Sequence, residues 1–188
     1  MAKTLGTAGL NIIKDYEGLK LDVYADAAGF PTVGYGHLLS KTKYDPNKNL
    51  SKTDANKELK NAGLSYTSPI TKSQAETLLK NDIKTAETKV NNLANIKRLT
   101  QSQFDALTSL TFNAPDALPS DDMKALLKCP EIYSDFVGAI RLSLNQEITI
   151  AFTWTIADGV KLNGLVRRRN AEAALFCKGM RYWYNEIK

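Results

Sequence analysis

The chain has 188 residues, of which 43% are hydrophobic and 24% charged, and its formal net charge is +5. These values describe a globular protein of one domain or two small lobes, and they exclude a fibrous or largely disordered chain. No apolar run is long enough for a membrane span or for the core of a secretory signal peptide, so the sequence predicts no export address.

The two cysteines give no metal-site pattern. Cys129 and Cys177 lie far apart and neither has a histidine nearby, which argues against a zinc site. They could form a disulfide in an oxidising compartment, but two buried free thiols are the preferred interpretation. We expect neither a metal nor any other cofactor.

The positive charge is concentrated at the C-terminal end. From Lys161 onward there are seven basic and two acidic residues, a difference of five, so the first 160 residues sum to zero. With the aromatic residues 182–184, this end could contact an anionic polymer: nucleic acid, phospholipid headgroups or a cell wall. A solvated basic helix face is the alternative, which composition alone slightly favours. No nucleic-acid-binding motif accompanies the basic end, so nucleic acid is not an expected partner.

In chain order, the first predicted element is a short amphipathic helix over residues 4–16, which ends near Gly18, a residue suited to helix termination. A β-hairpin or small meander follows, in which LDVY leads into the turn sequence DAAGFP and TVGYG leads away from it. Residues 41–69 are polar, lysine-rich and weakly periodic, and they predict a loop with one short helix.

Two capping-box sequences begin the clearest predicted helices. Thr71-Lys72-Ser73-Gln74 precedes apolar residues at helical spacing and predicts a helix of about twenty residues. Thr100-Gln101-Ser102-Gln103 opens a second helix, which the sequence NAPDALPSDD ends. Residues 123–184 read as several helices, with only the segment 148–154 ambiguous between helix and strand. The predicted fold class is α+β, with a small hairpin-bearing lobe, a long linking helix and a larger helical lobe.

The segment YEGLKLDVYADAAGFPTVGYGH, residues 16–37, contains the candidate catalytic groups. Hydrolysis of a glycosidic bond usually needs one carboxyl group that protonates the leaving oxygen and another that activates a water or attacks the sugar. Glu17 lies at a helix end beside apolar neighbours and Asp26 lies in a polar turn, and contrasted environments suit these two roles. The hydroxyl of Thr32 could hold a water near the acid. Acids at helix ends and in turns are common, so these residues alone favour a structural role.

This segment resembles the active-site segment of the phage T4-type lysozymes, the endolysins of glycoside hydrolase family 24. The family pattern is Glu, eight residues, Asp or Cys, five residues, Thr, followed by GxGH. The chain carries it without a gap as Glu17, Asp26 and Thr32, followed by Gly34-Tyr35-Gly36-His37.

The resemblance covers most of the chain in the expected order. Residues 70–82 resemble the family's linking helix, residues 100–113 its first core helix of the large lobe, and residues 163–176 a C-terminal signature, whereas residues 41–69 match poorly. The resemblance implies one lysozyme-like domain. Its small lobe would span about 15–70 and its linking helix about 72–93. Its helical lobe would span about 94–188, with the N-terminal helix packed on it and Trp154 in its core.

The activity that this resemblance implies is that of a muramidase, which cuts the β-1,4 bond between N-acetylmuramic acid and N-acetylglucosamine in peptidoglycan, serving host lysis as an endolysin. Glu17 would be the general acid, Asp26 would position or activate the hydrolytic water, and Thr32 would line the water site. Inversion is expected, with carboxyl groups roughly 6.5–9.5 Å apart. A bacterial antagonistic effector of the same activity and a non-catalytic wall-binding module are the alternatives.

Further residues acquire expected roles from the resemblance. His37 is the only histidine, and its reference pKa of about 6.5 would suit proton transfer. The family pattern instead implies a structural ion pair between His37 and Asp82 on the linking helix. Tyr35, Asn113 and Arg168 are candidates for substrate binding. The sequence after Phe112 departs from the family pattern, and at most one residue of the run 167–169 is expected to face the substrate, because helical geometry points the three in different directions.

The expected setting follows from the activity and from the N-terminal sequence. The chain would be made in the host cytoplasm and would reach the cell wall only after release by a holin or a secretion system. Its partners would be peptidoglycan and, through the basic C-terminal end, the anionic cell envelope. A monomer is expected.

Overall fold

The computed structural model describes residues 2–43, 50–94, 96–128, 152, 156–157 and 160–178. Its elements are α1 (Thr7–Glu17), β1 (Lys20–Ala25), β2 (Pro31–Gly34), β3 (His37–Leu38), α2 (Lys52–Asn61), α3 (Lys72–Asn91), α4 (Gln101–Asn113), α5 (Asp121–Lys128), β4 (Ile156–Ala157), β5 (Val160–Lys161) and α6 (Asn163–Lys178). A short 3-10 helix, Ile96–Arg98, precedes α4. The predicted α+β class is confirmed.

The chain divides into two compact units. The hairpin unit is Glu17–Ile83, and the helical unit is Met1–Tyr16 together with Lys84–Lys188. The twenty-residue helix α3 belongs to both units and confirms the long helix predicted after residue 71.

In the hairpin unit, β1, β2 and β3 form an antiparallel sheet in chain order. At the outer edge of β1, the Val23 N–H donates to Ser68 Oγ and the Ile70 N–H donates to Leu21 O, so the segment after α2 covers that edge. Helix α2 is the short helix expected within 41–69, although residues 44–49 lie outside the described part. The buried apolar side chains of this unit are Val23, Val33, Tyr35, Leu39, Ala55, Leu59, Ile70, Ala75, Leu78, Leu79 and Ile83.

Both predicted capping boxes are present. The Thr71 N–H donates to Gln74 Oε1 at 2.8 Å, and the Gln74 N–H donates to Thr71 Oγ1 at 3.2 Å. Thr100 and Gln103 make the same reciprocal contacts at the start of α4. Each box satisfies helix N–H groups that would otherwise lack partners, which stabilises the helix start by about 1 kcal/mol.

In the helical unit, α4 is buried along most of its length and α6 packs against it. The core of this unit contains Val90, Leu99, Phe104, Ala106, Leu107, Leu110, Ala117, Leu118, Met123, Leu126, Phe152, Leu175 and Phe176. Asp105, on α4, also caps the N-terminus of α1, because its carboxylate accepts the N–H of Gly6 at 2.8 Å and that of Gly9 at 3.3 Å. Helix α1 is thereby attached to a residue about a hundred positions later in the chain.

One element differs from the sequence prediction. Residues 123–184 were expected to be helical outside 148–154, whereas β4 and β5 form a two-stranded antiparallel ladder. The dipeptide Asp158-Gly159 stands between them in sequence, and Asp-Gly is typical of two-residue hairpin turns, so this signal was available and missed. Cys129, Trp154, the segment 148–151 and the aromatic residues 182–184 lie outside the described residues.

Candidate active site

Asp26 lies at the tip of the β1–β2 hairpin. The Asp26 N–H donates to Phe30 O, the Gly29 N–H donates to Asp26 O, and Gly29 has a φ of 83°, a conformation that glycine adopts without strain. Asp26 Oδ1 accepts the N–H groups of Ala28 and Phe30 at 2.9 and 2.8 Å. No described residue donates a hydrogen bond to Oδ2. One carboxylate oxygen is therefore fixed by the turn, and the other is open to accept a proton.

Thr32 supplies a second acceptor on this hairpin. It stands opposite Tyr24 in the β1–β2 register, and residues that face each other across a ladder lie on the same side of the sheet. Its side chain is buried, and Oγ1 donates to Phe30 O at 3.2 Å. A hydroxyl has one donor site and two acceptor sites, so this bond leaves Oγ1 as an acceptor for any further partner.

Glu17 is the last residue of α1. Gly18 follows with a φ of 70°, the left-handed conformation that commonly ends a helix, and the chain then enters β1. A Cβ atom added at Gly36 would lie 3.6 Å from Glu17 Oε2. The carboxylate of Glu17 therefore lies beside the turn between β2 and β3, where the absent side chain at Gly36 leaves room.

Tyr24 interacts with both carboxyl groups. Burial raises the pKa of the Tyr24 phenol, and the charges of Asp26 and Glu17 raise it further. Both carboxylates therefore act electrostatically on one phenol. The sequence prediction treated Tyr24 only as a strand residue. Its position two residues before the candidate Asp26 is the signal that could have identified it.

His37 lies on the other side of the sheet from Thr32. The register pairs Thr32 with Leu38 and Val33 with His37, and adjacent pairs in a ladder point to opposite sides. His37 Nδ1 lies 2.9 Å from Asp82 Oδ2 on α3. The expected contact is thus present, and it points away from the side that carries Thr32.

The remaining candidate residues have the following surroundings. Tyr35 is 6% exposed and therefore offers little surface to a ligand. Asn113 is an exposed residue at the end of α4, but its Oδ1 accepts a hydrogen bond from Arg169 Nη2. Arg168 is 3% exposed, and its guanidinium lies 5.9 Å from the centroid of the Tyr16 ring. For these residues substrate binding stays a prediction.

The helical unit contains a buried ion cluster, which we define as Ser109, Arg168, Arg169 and Glu172. Arg168 Nε donates to Glu172 Oε1 at 3.1 Å, Arg169 Nη1 lies 2.9 Å from Oε2, and Ser109 Oγ donates to Oε1 at 2.7 Å. Burial raises the pKa of the Glu172 carboxyl, against a lowering by Arg169, Ser109 and Arg168. Two arginines thus pair with an acid of their own helix.

Two further properties concern only the described part of the chain. Within it, no group of three or more His, Cys, Asp or Glu side chains converges on a point that could hold a metal ion. None of its helices combines the length and the apolar character that crossing a membrane requires.

A helix end and a hairpin that bring two carboxyl groups and a threonine together fit the class of glycoside hydrolases that work with paired carboxyl groups. Comparison with known proteins agrees. The family model described as phage lysozyme matches residues 14–172. The endolysin of Acyrthosiphon pisum secondary endosymbiont phage 1 is 34% identical, over 89% of this chain and 94% of its own length.

Two further relatives extend this comparison. The endolysin of Bacillus phage B103 is 29% identical over 93% of this chain, which spans 54% of that longer protein. The solved structure of the endolysin from Escherichia coli O157:H7 phage FAHEc1 is 27% identical, covers 94% of each chain and superimposes with a TM-score of 0.59.

The chain belongs to the phage lysozyme family. It is therefore a glycoside hydrolase with a lysozyme-like fold, and it acts as a peptidoglycan hydrolase in phage host lysis.

Proposed function

We propose that the chain cleaves the β-1,4 bond between N-acetylmuramic acid and N-acetylglucosamine, with Glu17 as the general acid and Asp26 as the general base. The single observation that carries this assignment is the hairpin turn that fixes Asp26 Oδ1 with two backbone N–H groups and leaves Oδ2 open. Two carboxyl groups around a common point, one at a helix end and one in a turn, are what acid and base roles on a glycosidic bond require.

The hydrogen bonds of the hairpin suit the activation of a water. Asp26 Oδ1 is held by two backbone N–H groups and Oδ2 is open, while Thr32 Oγ1 is left as an acceptor. A water that donates one proton to Asp26 and the other to Thr32 directs a lone pair away from both residues. Asp26 takes the first proton as the water oxygen bonds to the anomeric carbon, and Glu17 protonates the leaving oxygen.

The proposed activation of a water by Asp26 implies one stereochemical outcome. Because the water attacks from the side opposite the leaving group, the product is inverted at the anomeric carbon. Analysis of the product anomer by NMR immediately after cleavage tests this point. A retained configuration would mean that Asp26 attacks the sugar itself.

The decisive experiment compares Glu17→Gln with the wild type and with Asp15→Asn, a matched loss of an exposed acid on the same helix. Outer-membrane-permeabilised Gram-negative cells are cleared in a turbidity assay, and released reducing ends are counted in parallel. Loss of a general acid typically costs about 10²–10⁴-fold, so Glu17→Gln should be inactive while Asp15→Asn matches the wild type. Wild-type release of reducing ends by Glu17→Gln would overturn the assignment, and clearance without reducing ends would indicate action on membranes.

The other predicted residues have supporting roles in this proposal. His37 and Asp82 form a brace between the sheet and α3, supported by their contact and by the position of His37 on the side opposite Thr32. Tyr35, Asn113 and Arg168 are retained as substrate-binding candidates, with Arg168 the weakest because it is buried and paired with Glu172. The hairpin unit and the helical unit would be the lobes of one domain.

We also propose where the enzyme is made and how it reaches its substrate. The cell wall lies beyond the cytoplasmic membrane, so an enzyme made in the cytoplasm needs a holin-type pore or a secretion system to reach it. The chain would act as a monomer, and its basic C-terminal end would add electrostatic attraction to the anionic envelope. Expression with and without a holin, followed by culture turbidity, tests the route.

A further inference from the structure

We infer that Tyr24 is a water-positioning residue of this site, with its hydroxyl donating a hydrogen bond to the water that Asp26 and Thr32 hold. The inference rests on the proposed function and adds a third polar group to the hydrolytic side of the hairpin.

The geometry places Tyr24 where such a water would be. Tyr24 faces Thr32 directly across the β1–β2 ladder, so these two residues share one side of the sheet, and the charge of Asp26 in the adjoining turn acts on the Tyr24 phenol. The ring is half-buried, and Lys20 Nζ lies 4.0 Å from its centroid, a cation–π contact that restrains the ring. Among the described residues none forms a hydrogen bond with the Tyr24 hydroxyl.

The protonation state of Tyr24 makes it a donor. Burial and the charges of Asp26 and Glu17 all raise its pKa from an ordinary value of about 10, so the hydroxyl stays protonated throughout the pH range in which a lysozyme works. A neutral phenol near the carboxylate of Asp26 can donate its proton in a hydrogen bond without adding a negative charge to the site.

The three residues complement each other around a water. Asp26 Oδ2 and Thr32 Oγ1 can only accept from it, and an ordered water typically makes about three hydrogen bonds. Tyr24 supplies the donor that the other two lack. One lone pair of the water accepts from Tyr24 and the other is free to attack the anomeric carbon. The proton of the water passes to Asp26, and Tyr24 keeps its own proton throughout.

Substitution of Tyr24 by phenylalanine removes only the hydroxyl and keeps the ring on which Lys20 rests. Tyr66→Phe is the matched control, because it removes a hydroxyl from another half-buried tyrosine of the hairpin unit. Rates are measured as reducing ends released from soluble, uncross-linked glycan strands. For Tyr24→Phe we expect kcat to fall about 3- to 10-fold, the loss of one neutral hydrogen bond made in the transition state, with KM and the thermal midpoint unchanged. Tyr66→Phe should leave both kinetic constants unchanged.

Each other outcome overturns the inference in a recognisable way. A raised KM with unchanged kcat would make Tyr24 a substrate-binding residue, and a lowered thermal midpoint with activity restored on cooling would make it purely structural. Loss of one limb of the pH–rate profile would make it a proton-transfer group. Glu17→Gln and Asp26→Asn are assayed alongside. If these two are inactive while Tyr24→Phe equals the wild type, only this inference fails, and if they are active the proposed function fails first.

Discussion

The hairpin around Asp26 and the buried ion cluster of Ser109, Arg168, Arg169 and Glu172 both hold charged groups in place, but by different means. In the hairpin, backbone N–H groups two and four residues away fix one carboxylate oxygen and leave the other open. In the ion cluster, side chains from α4 and α6 enclose Glu172, which is 0% exposed. The hairpin arrangement leaves a carboxylate available for chemistry, whereas the ion cluster commits its charges to packing.

The largest expected effect is a loss of activity on substitution of Asp26 in the hairpin. Asp26→Asn retains Oδ1 as an acceptor for the two backbone N–H groups but removes the proposed base, so activity should fall about 10²–10⁴-fold while the thermal midpoint stays within about 2 °C of the wild type. Asp26→Ala also loses the turn hydrogen bonds and should lose about 1 kcal/mol of stability in addition. Reducing-end release and thermal unfolding measure the two quantities. Full activity of Asp26→Asn would contradict the assigned role.

The next largest expected effect is a loss of stability on substitution of Glu172 in the ion cluster. Glu172→Ala removes the carboxylate that both buried arginines contact, and breaking a buried ion pair in this way typically costs about 3–5 kcal/mol. The exposed pair of Lys124 and Asp121 on α5 provides the control, because Lys124→Ala should cost less than about 1 kcal/mol. Urea unfolding gives both free energies. Equal losses would mean that burial does not distinguish the two pairs.

A smaller effect is expected where a hairpin residue contacts a helix. His37→Gln and Asp82→Asn each remove one partner of a contact that is partly exposed, and each should lower the free energy of unfolding by about 1 kcal/mol. Activity well below the thermal midpoint should remain near the wild-type value. A large loss of kcat with unchanged stability would move His37 from the brace to the chemistry.

The smallest effect concerns Cys177, a half-buried free thiol on α6. Burial raises its pKa to about 12, above the unfolded value of about 8.5, so the stability that the protonated thiol contributes is complete below pH 8.5 and is lost as pH rises toward 12. Between pH 6 and 8, Cys177 should add no pH dependence. In a Cys129→Ser background, alkylation by iodoacetamide at pH 8 should be much slower in the folded than in the unfolded protein, because little of the thiol is ionised. Alkylation of the folded protein as fast as that of a short cysteine peptide would contradict the raised pKa of Cys177.

The same two regions show which features of the fold and of the site could be predicted from the sequence. The hairpin, both capping boxes and the pattern of Glu17, Asp26 and Thr32 depend on residues close together in the chain, so spacing and turn chemistry were sufficient. The bond between Ser109 and Glu172 joins residues 63 positions apart, and no local pattern specifies which helix faces meet. Tyr24 was missed for another reason, since a strand tyrosine is ordinary until its neighbours are known. The β4–β5 ladder was missed because each strand has only two residues.

The attachment of α1 to α4 has a consequence for the order in which the chain folds during synthesis. The N–H groups of Gly6 and Gly9 are bound by Asp105, which is made about a hundred residues later. At about 5–20 residues per second, the ribosome needs roughly 5–20 s to add that residue. During this interval the start of the helix that ends in Glu17 has no cap from α4. The helix that ends in Glu17 therefore acquires its anchoring through Asp105 only after residue 105 has been translated.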